Sequence, residues 1–148
     1  MGYVHDIRSK IGHDPLLIVG ASVIAVNDKG ELLLQRRSDN GCWGYHGGCV
    51  ELNERVEDAA RREFREETGL IAEELTLLGV FSGPEMAYTY PNGDLASIVD
   101  VVYVCRAWSG KMLPQNGEVN ELRFFAPEDV PDNISPPNIP ALKAYLGK

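Results

Sequence analysis

Three things are scarce in this chain, and each scarcity excludes a class of protein. Cysteine is the first: Cys42, Cys49 and Cys105 are three residues in 148. They are odd in number and form no CxxC pair, which argues against the disulfide framework of a small secreted domain. A reducing, cytoplasmic setting fits this usage. Long apolar runs are the second. The longest, Leu16 to Val26, is interrupted by Gly20 and Ser22 and falls well short of the roughly 20 residues that a helix needs to cross a bilayer. Ahead of it, His5, Asp6, Arg8 and Lys10 lack the layout of a signal peptide. Positive charge is the third. With 14 Lys+Arg against 22 Asp+Glu and a formal net charge of −8, binding to nucleic-acid polymers or to an anionic membrane surface is disfavoured. Repeats, low-complexity tracts and linkers are also missing, so residues 1–148 are expected to form one domain.

What is present reads as α+β. Val4, Ile7 and Ile11 recur at helical spacing ahead of Gly12, predicting a short helix over 3–11. Leu17 to Val26 and Glu31 to Arg36 flank the turn sequence Asn27-Asp28-Lys29-Gly30 and predict a β-hairpin. A glycine-rich loop, 41–48, follows. Residues 54–68 hold neither Gly nor Pro, follow Asn53 as a capping residue and precede Gly69 as a left-handed stop, which predicts a helix. Strands are expected over Leu75 to Ser82, Met86 to Tyr90, Ile98 to Trp108 and Glu121 to Phe125, with a turn at Pro91-Asn92-Gly93-Asp94. Ser135-Pro136-Pro137 precedes a closing helix that carries Ile139, Leu142, Tyr145 and Leu146.

The 54–68 helix places its acids oddly. At about 100° per residue from Val56, Ala60 falls near 40° and Phe64 near 80°, yet Glu67 falls near 20°, Glu63 near 340° and Glu66 near 280°. Three carboxylates thus lie in or beside the core-facing arc, and Glu63 and Glu67 repel each other at i,i+4. Hard oxygen ligands converging in this way suit Mg²⁺ or Mn²⁺. A solvated charged face with surface ion pairs to Arg62 and Arg65 is the plainer alternative.

The spacing goes beyond a charged face. Gly48, five residues, Glu54, seven residues, then Arg62-Glu63-Phe64-Arg65-Glu66-Glu67-Thr68-Gly69-Leu70 resembles the Nudix box, over residues 48–70. The chain looks like a MutT-type Nudix hydrolase. That resemblance implies an α/β/α sandwich around a mixed sheet. It also implies hydrolysis of a nucleoside diphosphate linked to another moiety, with water attacking phosphorus and Mg²⁺ or Mn²⁺ as cofactor. Carried over by position, Glu63, Glu66, Glu67 and the Gly47 carbonyl would be the metal ligands. Arg62 would orient Glu63, with Glu54 as its partner. The general base would be Glu63 or, in the loop from Gln115 to Asn120, Glu118, with Glu121 the next choice. A homodimer is the assembly the resemblance implies. A non-catalytic module that binds a nucleotide or sugar-nucleotide is the competing reading, although such relatives commonly lose box acids that are all present here.

Other candidates lie outside the box. Arg36 and Arg37, at the end of a predicted strand, could meet substrate phosphate or ribose. Tyr88, Tyr90, Phe81 and Trp43 could stack on a base or belong to the core. Pro84 and Tyr88 both stand where the family's hints for ADP-ribose and for dinucleoside polyphosphates fall, and they compete. His46 occupies the place of the usual proline in Trp43-Gly44-Tyr45-His46-Gly47-Gly48. It could touch substrate phosphate, ligate the metal or simply replace the proline. Cys42, His46 and Cys49 have a spacing that zinc could use, but no fourth ligand follows. A prenyl-diphosphate isomerase on the same fold would need a catalytic cysteine, and Cys105 in a predicted strand matches that poorly.

Overall fold

The computed structural model describes residues 2–113 and 119–147, with Val119 and Asn120 described by backbone only. The chain begins with α1 (Tyr3–Ile11), β1 (Leu16–Val26), β2 (Leu32–Arg37), β3 (Trp43–Gly44), β4 (His46–Cys49) and α2 (Val56–Thr68). It continues through β5 (Leu70–Ala72), β6 (Thr76–Phe81), β7 (Ala87–Thr89), β8 (Leu95–Cys105), β9 (Trp108–Gly110), β10 (Val119–Phe125) and α3 (Ile139–Leu146). No helix among the described residues is long and apolar enough to cross a membrane.

The centre is a mixed sheet in the order β10-β2-β1-β8-β6, with β3 on β2, β4 on β1 and β7 on β8. β1 and β8 pair in parallel from Leu16↔Ala96 to Ala25↔Cys105. Side chains alternate across β1. Ala21, Val23 and Ala25 pack with Leu33 and Tyr103 against Ala59, Ala60 and Phe64 of α2. On the other face Ile24 and Val26 pack with Leu32, Leu34 and Val102 against Ala141 and Leu142 of α3. Ile18, Met86, Ala96 and Ile98 form a third cluster, onto which Val4 of α1 packs. This is the expected α/β/α sandwich around a mixed sheet.

Four details differ from the sequence expectation. The hairpin exists, but β1 and β2 share only the pairs Ala25↔Leu33 and Val26↔Leu32 before they splay. The gap is filled by the segment expected to be a glycine-rich loop, because β4 pairs with β1 from Gly20↔Cys49 to Val23↔His46. Gly47 suits that strand because Ser22 Oγ and the Ala21 carbonyl already fill the space a Cβ would take. The box helix starts at Val56, not at 54, and Asn53 does not cap it. Asn53 turns the chain at φ 64°, a left-handed conformation that Asn tolerates, while Glu54 is drawn to Arg62. Its C-terminal stop is as expected, with Gly69 at φ 81° and its N–H on the Arg65 carbonyl. Last, the long strand expected over 98–108 breaks after Cys105, because Trp108 to Gly110 pair away from the main sheet with β5.

Candidate active site

A cleft of about 350 Å³ opens where the splay of β1 from β2 exposes the ends of β4 and α2, and α1 and β7 wall it. Glu63 and Glu67 line one side. They reach it because one helical face that packs on the sheet through Ala59, Ala60 and Phe64 also carries them. Glu67 is only 3% exposed. Its Oε1 accepts from Gln35 Nε2 at 2.8 Å and from the Gly47 N–H at 3.1 Å. Gln35 Nε2 also donates to the Tyr45 carbonyl at 3.1 Å, which ties β2 to the β3–β4 corner.

Arg62 organises the neighbouring acids. Its Nε and Nη2 donate to the two oxygens of Glu54, each at 2.9 Å, and its Nη1 donates to Glu63 Oε1 at 2.8 Å. Nη2 reaches the Cys49 carbonyl at 3.1 Å. The guanidinium holds the Glu54 carboxyl below the usual carboxylate range. Glu63 goes the other way: burial, then the charge of Glu67, push it up to about 7 against the pull of Arg62. The Glu66 side chain is 45% exposed and lies 3.6 Å from Arg62 Nη1. It is turned outward from the buried pair.

A buried carboxylate, Glu67, beside a half-buried one, Glu63, with one guanidinium shared between Glu63 and Glu54, leaves negative charge that a cation would relieve. The donors are hard oxygens. Among the described residues no trio of His, Cys, Asp or Glu closes into a cage. Hard oxygens are the donors that Mg²⁺ takes, with one or two carboxylates joined by water and substrate phosphate. Of the Cys42, His46 and Cys49 set, the His46 ring is turned into the core with Nε2 on the Leu33 carbonyl.

Glycine makes this packing feasible. A methyl on Gly48 would run into the Glu63 carboxylate. Gly48→Ala should therefore force Glu63 aside and cost about 1–3 kcal/mol, read as a drop of several degrees in the thermal midpoint. An unchanged midpoint would show that the carboxylate has room to move.

The other expected residues are distributed unevenly. Arg37 lines the cleft and forms a two-pronged pair with Asp39 at 2.9 and 3.1 Å. Tyr88 lines it too, with its OH accepting from Asn40 Nδ2 at 3.1 Å and its ring edge-on to Tyr90 at 4.8 Å. Arg36 does not: one register step along β2, it points outward at 45% side-chain exposure, 4.0 Å from Glu121. Trp43 is buried edge-on to Phe125 at 5.0 Å, and Phe81 packs on the core, so neither is a stacking surface. Cys105 is a core thiol whose Sγ meets the Ala107 carbonyl. Glu118 lies outside the described residues.

His46, which could touch substrate phosphate, ligate the metal or simply replace the proline, is not brought to the cleft lining. It is wholly buried behind Glu67, edge-on to Phe64, and its Nε2 donates to the Leu33 carbonyl at 3.1 Å. Its Nδ1 has no hydrogen-bond partner among the described residues and lies 3.7 Å from Glu67 Oε1. Alternation along β4 decides this: His46 pairs with Val23 and shares its α2-facing side.

Two polar residues escaped the sequence reading, Gln35 and Asp100. Asp100 is 4% exposed on β8 and lines the cleft floor. Both carried a signal, a polar residue interrupting an apolar strand at a core-facing step.

A family model described as NUDIX domain matches residues 16–145. An ADP-ribose pyrophosphatase from Methanocaldococcus jannaschii is 36% identical over 115 residues, which make up 76% of this chain and 64% of that enzyme. The chain thus spans just under two thirds of that relative's length. A MutT-like protein from Streptomyces ambofaciens is 31% identical over 121 residues, 82% of this chain and 71% of that one. Among solved structures, a MutT NUDIX hydrolase from Burkholderia pseudomallei superposes with a TM-score of 0.74 at 34% identity, covering 87% of this chain and 98% of the other. With the match running from β1 into α3 and taking in the whole carboxylate-bearing helix, the chain belongs to the Nudix hydrolase family.

Proposed function

We propose that this chain hydrolyses the phosphoric anhydride bond of a nucleoside diphosphate derivative in a divalent-metal-dependent reaction. The observation that carries the reading is the pairing of buried Glu67 with half-buried Glu63 at the edge of a cleft floored by Gly47 and Gly48. Nudix hydrolases typically depend on a divalent metal. Glu67, Glu63, the Gly47 carbonyl and the outward Glu66 are the groups that would hold it. When bound, Mg²⁺ or Mn²⁺ neutralises diphosphate charge and makes a bound water more acidic.

The chain's own residues do the rest. Gln35 and the Gly47 N–H fix one oxygen of Glu67, so the other has a set direction. Arg62 fixes one oxygen of Glu63, and the second is the acceptor nearest to hand for the proton of an attacking water. Glu118 is the alternative base. Arg37 and Tyr88, on the opposite wall, are placed for the organic part of the substrate. The name of the Methanocaldococcus jannaschii relative makes ADP-ribose the first member of that class to test.

The test is a panel of ADP-ribose, dinucleoside polyphosphates, sugar-nucleotides and oxidised nucleoside triphosphates in ¹⁸O-water with Mg²⁺ or Mn²⁺. The expected outcome is chelator-sensitive cleavage with one label in a phosphate-containing product. Label in a non-phosphate product would contradict attack at phosphorus. Binding without turnover across the panel would establish the non-catalytic reading instead.

A further inference from the structure

The hydrolytic reading makes no use of Asp100, a buried carboxyl on the cleft floor. It lies between Ile98 and Val102 on the same face of β8, where an apolar side chain of similar size would avoid the desolvation cost. Its contacts are specific. Ser22 Oγ donates to Oδ1 and Tyr45 OH donates to Oδ2, each at 2.7 Å. Both donors are themselves buried. One carboxyl thus holds two neutral hydroxyls, one on β1 and one at the β3–β4 corner.

Each hydroxyl leads to Glu67. Tyr45 carries the first arm: its backbone carbonyl accepts from Gln35 Nε2 at 3.1 Å, and the same Nε2 donates to Glu67 Oε1 at 2.8 Å. Ser22 carries the second. It pairs with Gly47 across β1 and β4, and its Oγ occupies the space that a Gly47 Cβ would need. The hydroxyl that Asp100 holds is therefore the surface against which Gly47 packs. The Val50 N–H is taken by the Val19 carbonyl of β1, and alternation along an antiparallel strand turns the Gly47 N–H to the opposite edge. There it donates to Glu67 Oε1 at 3.1 Å. The two arms, one through Gln35 and one through Gly47, converge on a single oxygen.

We propose that Asp100 is a positioning residue for Glu67. It fixes the Tyr45 ring and the Ser22 hydroxyl, and these set the places of the two donors that hold Glu67 Oε1. The second oxygen of Glu67 keeps its direction as a result. The consequence for metal binding rests on Glu67 being a metal-holding group, as proposed above, whereas the closed ring of contacts does not.

The test starts with ¹H–¹⁵N spectra of the full chain without metal. Asp100→Asn keeps the shape but turns an NH₂ group toward one of the two hydroxyls, so it should move both the Gly47 backbone amide and the Gln35 side-chain amide. Ser22→Ala should move the Gly47 signal more than the Gln35 signal, and Tyr45→Phe should do the reverse. These two variants carry the test even if Asp100→Asn folds poorly, and a residue that only supports the fold would not sort the signals by arm. Mn²⁺ titration follows. Asp100→Asn should bind Mn²⁺ about tenfold or more weakly, the range for groups that orient a metal ligand. Tyr45→Phe should add nothing in a Gln35→Leu background, where its arm is already cut, while Ser22→Ala should still weaken binding there. Unmoved Gly47 and Gln35 signals in all three variants would overturn the proposal. So would shifts spread evenly over the sheet, which would make Asp100 a support of the fold alone, or wild-type Mn²⁺ affinity in Asp100→Asn where Glu67→Gln has lost it. Signals sorted by arm, with Mn²⁺ affinity untouched by Glu67→Gln, would keep the role of Asp100 and sink only the metal reading of Glu67.

Discussion

Glu67→Gln should fold like the wild type yet turn over substrate at least about a hundredfold more slowly, with weaker Mn²⁺ binding. The two expectations come from different atoms of one side chain. Glu67 Oε1 accepts from Gln35 Nε2 and from the Gly47 N–H, and an amide oxygen can accept both. Those donors also fix the amide's orientation, because the reverse rotamer would set an NH₂ group against two N–H groups. The second oxygen, which the proposed chemistry needs as a ligand, thereby becomes a donor without charge. Burial at 3% exposure prevents solvent from softening that change. Thermal melting, Mn²⁺ titration and kcat/KM on one preparation make the check. A variant as active as the wild type would remove Glu67 from the metal site.

Arg62→Ala should lose about two to three orders of magnitude in kcat/KM, and Arg62→Lys should recover little of it. The guanidinium serves three partners at once: both oxygens of Glu54, one oxygen of Glu63 and the Cys49 carbonyl. A planar fork can do so, whereas a single ammonium must choose. Without it Glu63, already disfavoured as an anion by burial and by Glu67, loses the contact that fixes its free oxygen. Since the Arg62 side chain is a third exposed, the stability loss should stay near about 1–3 kcal/mol and the thermal midpoint should fall by only several degrees. Full activity in Arg62→Lys would reduce Arg62 to a countercharge.

The site was legible in the sequence where it is local. Glu63, Glu67 and Arg62 share one helix, and a helical wheel places them because the helix repeat fixes their directions whatever surrounds them. Glu66, at the edge of the core-facing arc, is correspondingly half-exposed. Legibility ended where direction depends on pairing. His46 could be read as a substrate contact because nothing local shows that β4 pairs with β1 in a register that turns the ring toward Phe64. Pairing with β2 and with β1 likewise hid β3 and β4 inside a segment whose glycines suggested a loop. Those glycines answer to Ser22 and Glu63, which crowd them from other elements. Gln35 and Asp100 broke the apolar pattern visibly, yet their partners lie 32 and 78 residues away.

The parallel pairing of β1 with β8 also makes the cleft depend on a long loop closure. Closing a long loop costs chain entropy before its contacts repay it. The Gly47 N–H meets Glu67 across 20 residues, but Ser22 must wait for Asp100 across 78. The floor of the cleft thus waits on the longer loop closure, and the strand that supplies it is the one that joins β1 to β6 in the sheet.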